Sequence, residues 1–167
     1  GESLTAIGKS ALQKNTTADN NTALGTFSLR CNTTGTANTA VGANALDANI
    51  SGIRNTAIGL SSLSANTTAS YNTAIGTFAL EANTTGANNT AIGYYTLLGN
   101  LTGANNTAVG SLSLDANTTG TNNIAVGRSA LTDNTSGICN TAVGYYALGA
   151  NTTASYNTAF GSTALDA

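Results

Sequence analysis

Histidine, methionine, tryptophan and proline are absent from the chain, and cysteine occurs only at Cys31 and Cys139. Without histidine, neither a Ser-His-Asp triad nor a Cys-His pair can form. The two cysteines have no histidine and no nearby cysteine to join them, so a zinc site is unsupported. The chain also lacks a glycine-rich phosphate-binding motif. We therefore expect no enzymatic activity, no metal and no cofactor.

Charged side chains are scarce as well, at 7% of the residues, and the net charge at pH 7 is −2. A protein that binds nucleic acid electrostatically needs a basic face, and a polybasic membrane anchor needs a basic cluster. No run of residues resembles a signal peptide or a membrane span. The composition therefore excludes nucleic acid as a partner, and we expect no direct membrane insertion of this segment.

One motif, N-T-A-[IV]-G-x-x-[AS]-L-x-x-N-T-T-[GA]-x-x, recurs along the whole chain every seventeen residues, the interval from Gly8 to Gly25. A fixed short period is typical of one structural unit stacked on copies of itself. We predict a single all-β domain over residues 1–167, a parallel β-solenoid of ten coils. The chain begins and ends in mid-repeat, so we expect a segment of a longer protein. The repeated glycine lies at Gly8, Gly25, Gly42, Gly59, Gly76, Gly93, Gly110, Gly127, Gly144 and Gly161.

Each coil of this length is predicted to contain two short strands and two turns. Coils stacked in register rise by ~4.8 Å each, so the ten would form a rod roughly 48 Å long. The repeated glycine is predicted to mark a bend, or a backbone approach too close for a Cβ. The N-T-T-[GA] segment is predicted to form the second turn, since asparagine and glycine tolerate turn conformations.

Three columns of residues are the best core candidates. The leucine column comprises Leu12, Leu29, Leu46, Leu63, Leu80, Leu97, Leu114, Leu131, Leu148 and Leu165. The alanine column comprises Ala6, Ala23, Ala40, Ala57, Ala74, Ala91, Ala108, Ala125, Ala142 and Ala159. The apolar column, directly before the glycine, comprises Ile7, Leu24, Val41, Ile58, Ile75, Ile92, Val109, Val126, Val143 and Phe160.

Strand alternation leaves the direction of these columns open. Neighbouring strand residues point to opposite faces, so alanine and the apolar residue cannot both point inward. If the apolar column is inside, an outer strip of alanine and glycine would let another chain approach closely. If alanine is inside, the apolar column lies outside and needs a partner even more. Both alternatives favour self-association, as a trimer or a filament, over a lone rod whose local twist breaks the alternation. For the first alternative, the candidate oligomer face is Ala57, Ala74, Ala91, Ala108 and Ala125.

Two asparagine columns accompany the core. Strand asparagines precede nine of the strands, at Asn21, Asn38, Asn55, Asn72, Asn89, Asn106, Asn123, Asn140 and Asn157. Turn asparagines open the second turn, at Asn15, Asn32, Asn49, Asn66, Asn83, Asn100, Asn117, Asn134 and Asn151. Stacked amides can hydrogen-bond along a rod, and we expect such ladders. Threonine or serine always follows a turn asparagine two residues later, so N-linked glycosylation is the alternative.

A threonine column begins each strand, and its candidate ice-binding members are Thr22, Thr39, Thr56, Thr73, Thr90 and Thr107. A regular array of methyls and hydroxyls on a flat solenoid face can order water, so ice binding is an alternative function. An internal or interfacial threonine ladder would produce the same pattern. Ile124 interrupts the column.

Asp47, Glu81 and Asp115 recur on every second coil, roughly 9.6 Å apart. Paired carboxylates are typical of glycosidases, but skipping a coil also avoids repulsion between like charges, which we favour. Cys31 and Cys139 lie roughly 29 Å apart along a straight rod, too far for a disulfide. Tyr94-Tyr95 and Tyr145-Tyr146 lie beside the bend, where they either cover the core edge or stack on sugars.

A longer period is superimposed on the seventeen-residue repeat. Residues 49–53, Asn-Ile-Ser-Gly-Ile, recur at 134–138 as Asn-Thr-Ser-Gly-Ile, and 69–71 recurs at 154–156. The two offsets are the same, and each equals five coils. We interpret this period as duplication of a five-coil block, with a partner that reads every fifth coil as the alternative.

The N-T-A-[IV]-G-x-x-A-L core resembles the head repeats of YadA-like trimeric autotransporter adhesins, which carry an A-I-G-x-x-[SA] signature. It is also similar to repeat arrays of phage-type fibres and large bacterial surface proteins. The resemblance implies a left-handed parallel β-roll, three chains packed around an axis, and a location outside the cell or on a cell or virion surface. It thus implies an extracellular structural or adhesive rod, with a host surface or a glycan as possible ligand. Ice binding is the alternative.

Overall fold

In a computed structural model, residues 2–166 are described. Gly1 and Ala167, the two ends of the predicted domain, lie outside these residues. Residues 2–166 form ten three-residue strands and no helix, so none of them belongs to a helix that could cross a membrane. The strands are β1 Thr5–Ile7, β2 Thr22–Leu24, β3 Thr39–Val41, β4 Thr56–Ile58, β5 Thr73–Ile75, β6 Thr90–Ile92, β7 Thr107–Val109, β8 Ile124–Val126, β9 Thr141–Val143 and β10 Thr158–Phe160.

The ten strands form one parallel sheet in chain order, from β1 to β10. Equivalent residues of neighbouring coils pair directly, as in Thr73 with Thr90 and Ala74 with Ala91. The same register holds at all nine strand pairs. The predicted parallel β-solenoid, with one sequence repeat in each coil, is therefore confirmed.

The leucine and alanine columns form the core. Leu29, Leu63 and Leu97 have no accessible surface, and each packs among alanines of its own and neighbouring coils. Ala57, Ala74, Ala91, Ala108 and Ala125 are also completely buried.

The interpretation of those five alanines as an oligomer face is therefore wrong. Because alternate strand residues point to opposite sides, burial of the alanine turns its threonine and apolar neighbours outward. Ile75 beside Ala74 is 36% exposed, whereas Ala74 has no exposed surface. The second of the two sequence-based alternatives, with the apolar column outside, describes the structure.

Each coil contains one strand rather than the predicted two. The leucine column has left-handed backbone dihedrals, with φ of 53° at Leu63 and Leu80, and this conformation interrupts an extended segment. Hydrogen bonds still join these segments from coil to coil, because the Leu63 N–H donates to the Ala79 carbonyl at 2.9 Å and the Ala65 N–H to the Glu81 carbonyl at 3.1 Å. The second side of the coil is thus paired without being a strand.

The repeated glycine forms the bend after each strand. Gly110 has φ of +130°, a region that side chains rarely adopt, and a Cβ placed on it would lie 2.5 Å from the Gly127 carbonyl oxygen. Both predicted reasons for the glycine, the bend and the close backbone approach, are confirmed at this position.

Candidate assembly face and asparagine ladders

The outward side of the sheet carries the threonine column and the apolar column, and together we name them the sheet face. The threonine side chains are partly exposed along β2 to β7. Several members of the apolar column are more exposed, with 38% at Ile58, 38% at Ile92 and 37% at Val126. At Ile124 the threonine column itself becomes apolar, and that side chain is 43% exposed. The sheet face is therefore a stripe of methyl groups along the whole rod.

No strand of residues 2–166 contains a charged residue, so the sheet face is neutral throughout. Tyrosines lie two residues outside the strands on both sides, with Tyr71 before β5 and Tyr94 after β6, and they are 48% and 53% exposed. The Arg54 guanidinium donates to the Tyr71 hydroxyl at 3.0 Å, and Arg128 lies 5.7 Å from the ring centre of Tyr145. Tyrosine and arginine are enriched at protein–protein interfaces. An apolar stripe with such a rim has the composition of an interface.

The turn asparagines form a continuous amide ladder. The Asn66 side-chain nitrogen donates to the Asn49 side-chain oxygen at 2.8 Å and to the Ala69 carbonyl at 3.0 Å. The same pair of bonds recurs from coil to coil, and Asn49 and Asn66 have no accessible surface. Each side chain thus closes its own turn and joins it to the preceding coil.

The strand asparagines form a second ladder that meets the first. The Asn72 side-chain oxygen accepts the Asn89 backbone N–H at 2.9 Å, and its side-chain nitrogen donates to the Gly86 carbonyl at 2.9 Å. That carbonyl also accepts the Asn83 side-chain nitrogen at 3.0 Å. In eight of the coils one carbonyl, from Gly35 to Ala154, therefore receives an amide from each ladder, and this satisfies polar groups that would otherwise be buried without partners.

The structure contradicts N-linked glycosylation of the turn asparagines in the folded chain. Transfer of a glycan requires a free side-chain nitrogen at the surface, but Asn83 and Asn100 are completely buried and use this nitrogen for two hydrogen bonds each. Asn15 and Asn151 at the two ends are more exposed, yet they donate to Ala18 and Ala154 in the same way. The Asn-x-Thr/Ser pattern in the sequence therefore reflects an asparagine that belongs to the amide ladder, followed two residues later by a hydroxyl.

We expect Asn89→Leu to destabilise the solenoid by about 2–3 kcal/mol, although Leu4 occupies this column in the first coil. The substitution removes the acceptor of the buried Asn106 N–H and the second donor to the Gly103 carbonyl. Thermal unfolding followed by circular dichroism measures the effect.

The matched control is Asn88→Gly, because Asn88 is exposed and its φ of 60° suits glycine. Equal stability of the two variants would contradict a structural role for the strand ladder.

The acidic column forms individual contacts rather than a paired site. Asp47 accepts a hydrogen bond from Arg30 at 2.8 Å, and Asp115 accepts one from the Thr132 hydroxyl at 2.6 Å. Burial raises the pKa of the Asp115 carboxyl above its ordinary value, against the opposing effect of the Thr132 hydrogen bond. In the described part of the chain, no three cysteine or acidic side chains are grouped so that they could hold a metal.

The two cysteines are free and partly buried. A cavity of about 330 Å³ lies at the last coil, lined by Leu148, Asn151, Thr153, Asn157 and Leu165 among others. Its walls carry amide, hydroxyl and aliphatic groups and no titratable side chain. The cavity therefore offers no acid or base.

The sequence pattern points to the threonine column, offers the apolar column only as one of two alternatives for an interface, and does not assign the tyrosines to that surface. The exposure of Ile58 or Tyr94 could not be predicted from the sequence. The alternation of side chains along a strand is the same whether the alanine or the apolar residue points outward. The signal that was available is the complete absence of charge in ten strands. Charged residues lie mostly at solvent-facing positions, so the absence of charge at the outward positions of the strands singles out this surface as a candidate site.

Comparison of the chain with protein-family models, with curated proteins and with solved structures gives no match. The class is therefore defined by the fold itself. The chain is an all-β tandem-repeat protein, a parallel β-solenoid with one strand in each coil and two asparagine ladders that run along the stack.

Proposed function

We propose that the chain is a non-enzymatic structural or adhesive rod, located outside the cell or on a cell or virion surface, that self-associates through the sheet face. The observation that carries the proposal is the uncharged apolar column at the end of every strand, which is exposed or partly exposed along the whole sheet. Monomeric soluble proteins rarely expose a contiguous apolar patch of this length. The resemblance of the repeat to adhesin heads and fibre arrays supports the extracellular location and the adhesive role.

A second copy of the chain is the occupant that fits the sheet face best. The face is roughly 43 Å long and about 15 Å wide, so a pair of copies would bury about 1,200 Å² in total, at the lower end of the usual range for a specific interface. A neutral partner surface imposes no cost of desolvating unpaired charges. Identical copies also share one coil spacing, so their methyl rows can interlock along the full length.

The test compares the oligomeric mass of the wild type with that of Ile75→Lys/Ile92→Lys, measured by sedimentation. The lysines place two charges within the sheet face, and we expect the variant to be monomeric with its β circular dichroism retained. The control is Ile50→Lys/Leu101→Lys, because these residues are 47% and 45% exposed but lie in the second turn, outside the strands. The control is expected to assemble like the wild type. A wild type that remains strictly monomeric at high concentration would refute self-association.

Ice binding is the second candidate, since the structure turns the threonine column outward in register. Thr56 pairs with Thr73 and Thr73 with Thr90, so hydroxyls and methyls repeat at the strand spacing along the sheet. The two functions compete for one surface, because a sheet face covered by another copy cannot contact ice. Thermal hysteresis and crystal shaping by a monomeric chain would favour the second candidate, and their absence would remove it.

A further inference from the structure

The second turn of each coil carries two adjacent hydroxyl positions that differ in what they do. At the first position, the Thr84 hydroxyl donates to the Leu101 carbonyl of the next coil at 3.0 Å, and the Thr33 hydroxyl donates to the Ile50 carbonyl at 3.1 Å. Six of these side chains form the same bond to the next coil. The hydroxyl at the first position is therefore part of the fold.

The second position, which we name the turn hydroxyl column, has no such role. Its nine members are exposed, and none of their hydroxyls donates or accepts a hydrogen bond within residues 2–166, unlike the six bonded threonines at the first position. No hydrogen bond within the described residues therefore depends on these oxygen atoms. The column comprises Thr17, Thr34, Ser51, Thr68, Thr85, Thr102, Thr119, Ser136 and Thr153.

The hydroxyl is nevertheless kept in all nine members of the column. Other exposed positions have diverged freely between coils, as the change from Ala37 to Arg54 and Tyr71 at one equivalent position shows. Even the first turn position, whose hydroxyl has a structural bond, becomes Ile50 and Leu101. In the turn hydroxyl column the only exchange is threonine for serine, which loses the methyl group and keeps the oxygen. What is retained is thus the hydroxyl itself, at the place where the fold does not use it.

A covalent modification of the oxygen accounts for this pattern. Such chemistry accepts threonine and serine alike, and it tolerates a change of the preceding residue from threonine to Ile50 or Leu101. Phosphate does not fit, because dianions on successive coils would lie ~4.8 Å apart and would repel each other strongly. A neutral sugar carries no such repulsion, and its hydroxyls match the surface of a chain in which only 7% of the residues are charged.

We propose that the turn hydroxyl column is the acceptor site for O-linked glycosylation by a transferase that uses a nucleotide-activated sugar. The Thr85 oxygen would attack the anomeric carbon, so that a carbon–oxygen glycosidic bond forms as the sugar–phosphate bond breaks. The nucleoside diphosphate leaves with the bonding electrons, and the hydroxyl proton passes to a base of the transferase. The turn lies outside the strands, so the sugars would leave the sheet face free for a second copy.

The first test locates sugars on the chain purified from the cells that naturally make it, by electron-transfer fragmentation of its peptides. We expect hexose-type mass increments on members of the turn hydroxyl column and none on Thr33 or Thr84, which serve as internal controls one residue away. Native material without any sugar on the column would overturn the proposal. Sugars spread equally over Thr84 and Thr85 would overturn it as well, because the unbonded hydroxyl would then not be the selected feature.

The second test examines the premise that the hydroxyl is structurally idle, using whole chain made in a host without the transferase. Thr85→Val is expected to melt at the wild-type temperature, whereas Thr84→Val is expected to melt about 2–4 °C lower through loss of its bond to Leu101. An equal decrease in both variants would make the hydroxyl structural and overturn the proposal. Self-association is measured separately on this unmodified chain. The proposal of glycosylation can therefore fail while self-association holds, and the reverse.

Discussion

Gly110→Ala is expected to open the solenoid at its seventh coil and to lower the free energy of unfolding by at least about 3 kcal/mol. Two costs combine at this residue. The backbone has φ of +130°, which an alanine adopts only with strain, and the new methyl carbon would lie 2.5 Å from the Gly127 carbonyl oxygen. That oxygen belongs to the backbone of the next coil, so it cannot move aside without breaking the stack. Thermal unfolding followed by circular dichroism, compared with that of the wild type, measures the lost stability.

Gly99→Ala is the matched control in the preceding coil. Gly99 lacks a positive φ, and alanine already occupies the equivalent position at Ala82 and Ala116. We expect this variant to lose less than about 1 kcal/mol. If the two variants were equally stable, the bend would not require glycine, and the repeated glycine would only reflect the common origin of the repeats.

Leu80→Asp is the second substitution for which we expect a large effect. Leu80 has no accessible surface and lies between the leucines of the coils on either side, so the carboxylate would be buried without a partner. The cost is expected to be at least about 4 kcal/mol, through unfolding or through neutralisation of the acid. Limited proteolysis should reveal new cleavage between residues 63 and 97, where the stack is interrupted.

Leu101→Asp introduces the same side chain at an exposed position of the second turn, where Leu101 is 45% accessible. This control should resist protease like the wild type. Resistance of Leu80→Asp would mean that the leucine column is not the core.

The period and the core leucines were predictable because each is visible in every copy. A glycine that returns at one unchanging interval fixes the length of the coil, and a leucine that never varies four residues later indicates a buried position. The same redundancy made the bend predictable at Gly110. The strand direction was not predictable, since Ala74 and Ile75 are both apolar and a period of two does not say which one points inward. Burial decides it, because Ala74 lies within the core cluster.

The second half of the coil could not be derived from propensity. Leucine rarely adopts the left-handed conformation, so nothing at Leu63 or Leu80 predicts φ of 53°. The conformation is enforced by the neighbouring coils, which hold the Leu63 N–H on the Ala79 carbonyl. The role of the turn asparagines was ambiguous for a related reason. The sequence Asn-x-Thr is the same whether the Asn83 amide is exposed to solvent or bonded to another amide. Only the packing of the coils shows whether such an asparagine is a glycan acceptor or a member of a ladder.

The uniform register has a consequence for how such a gene can change. Every coil meets only its two neighbours, through bonds that are the same at each step, so inserting or deleting whole coils leaves all remaining contacts intact. Unequal recombination between repeats would therefore lengthen or shorten the rod by ~4.8 Å per coil without a folding penalty. A shift by a number of residues that is not a multiple of seventeen would take the leucine, alanine and asparagine columns out of register. The reach of the molecule can thus evolve in discrete steps while its cross-section stays fixed, and the duplication of a five-coil block that we infer from the sequence would be one such step.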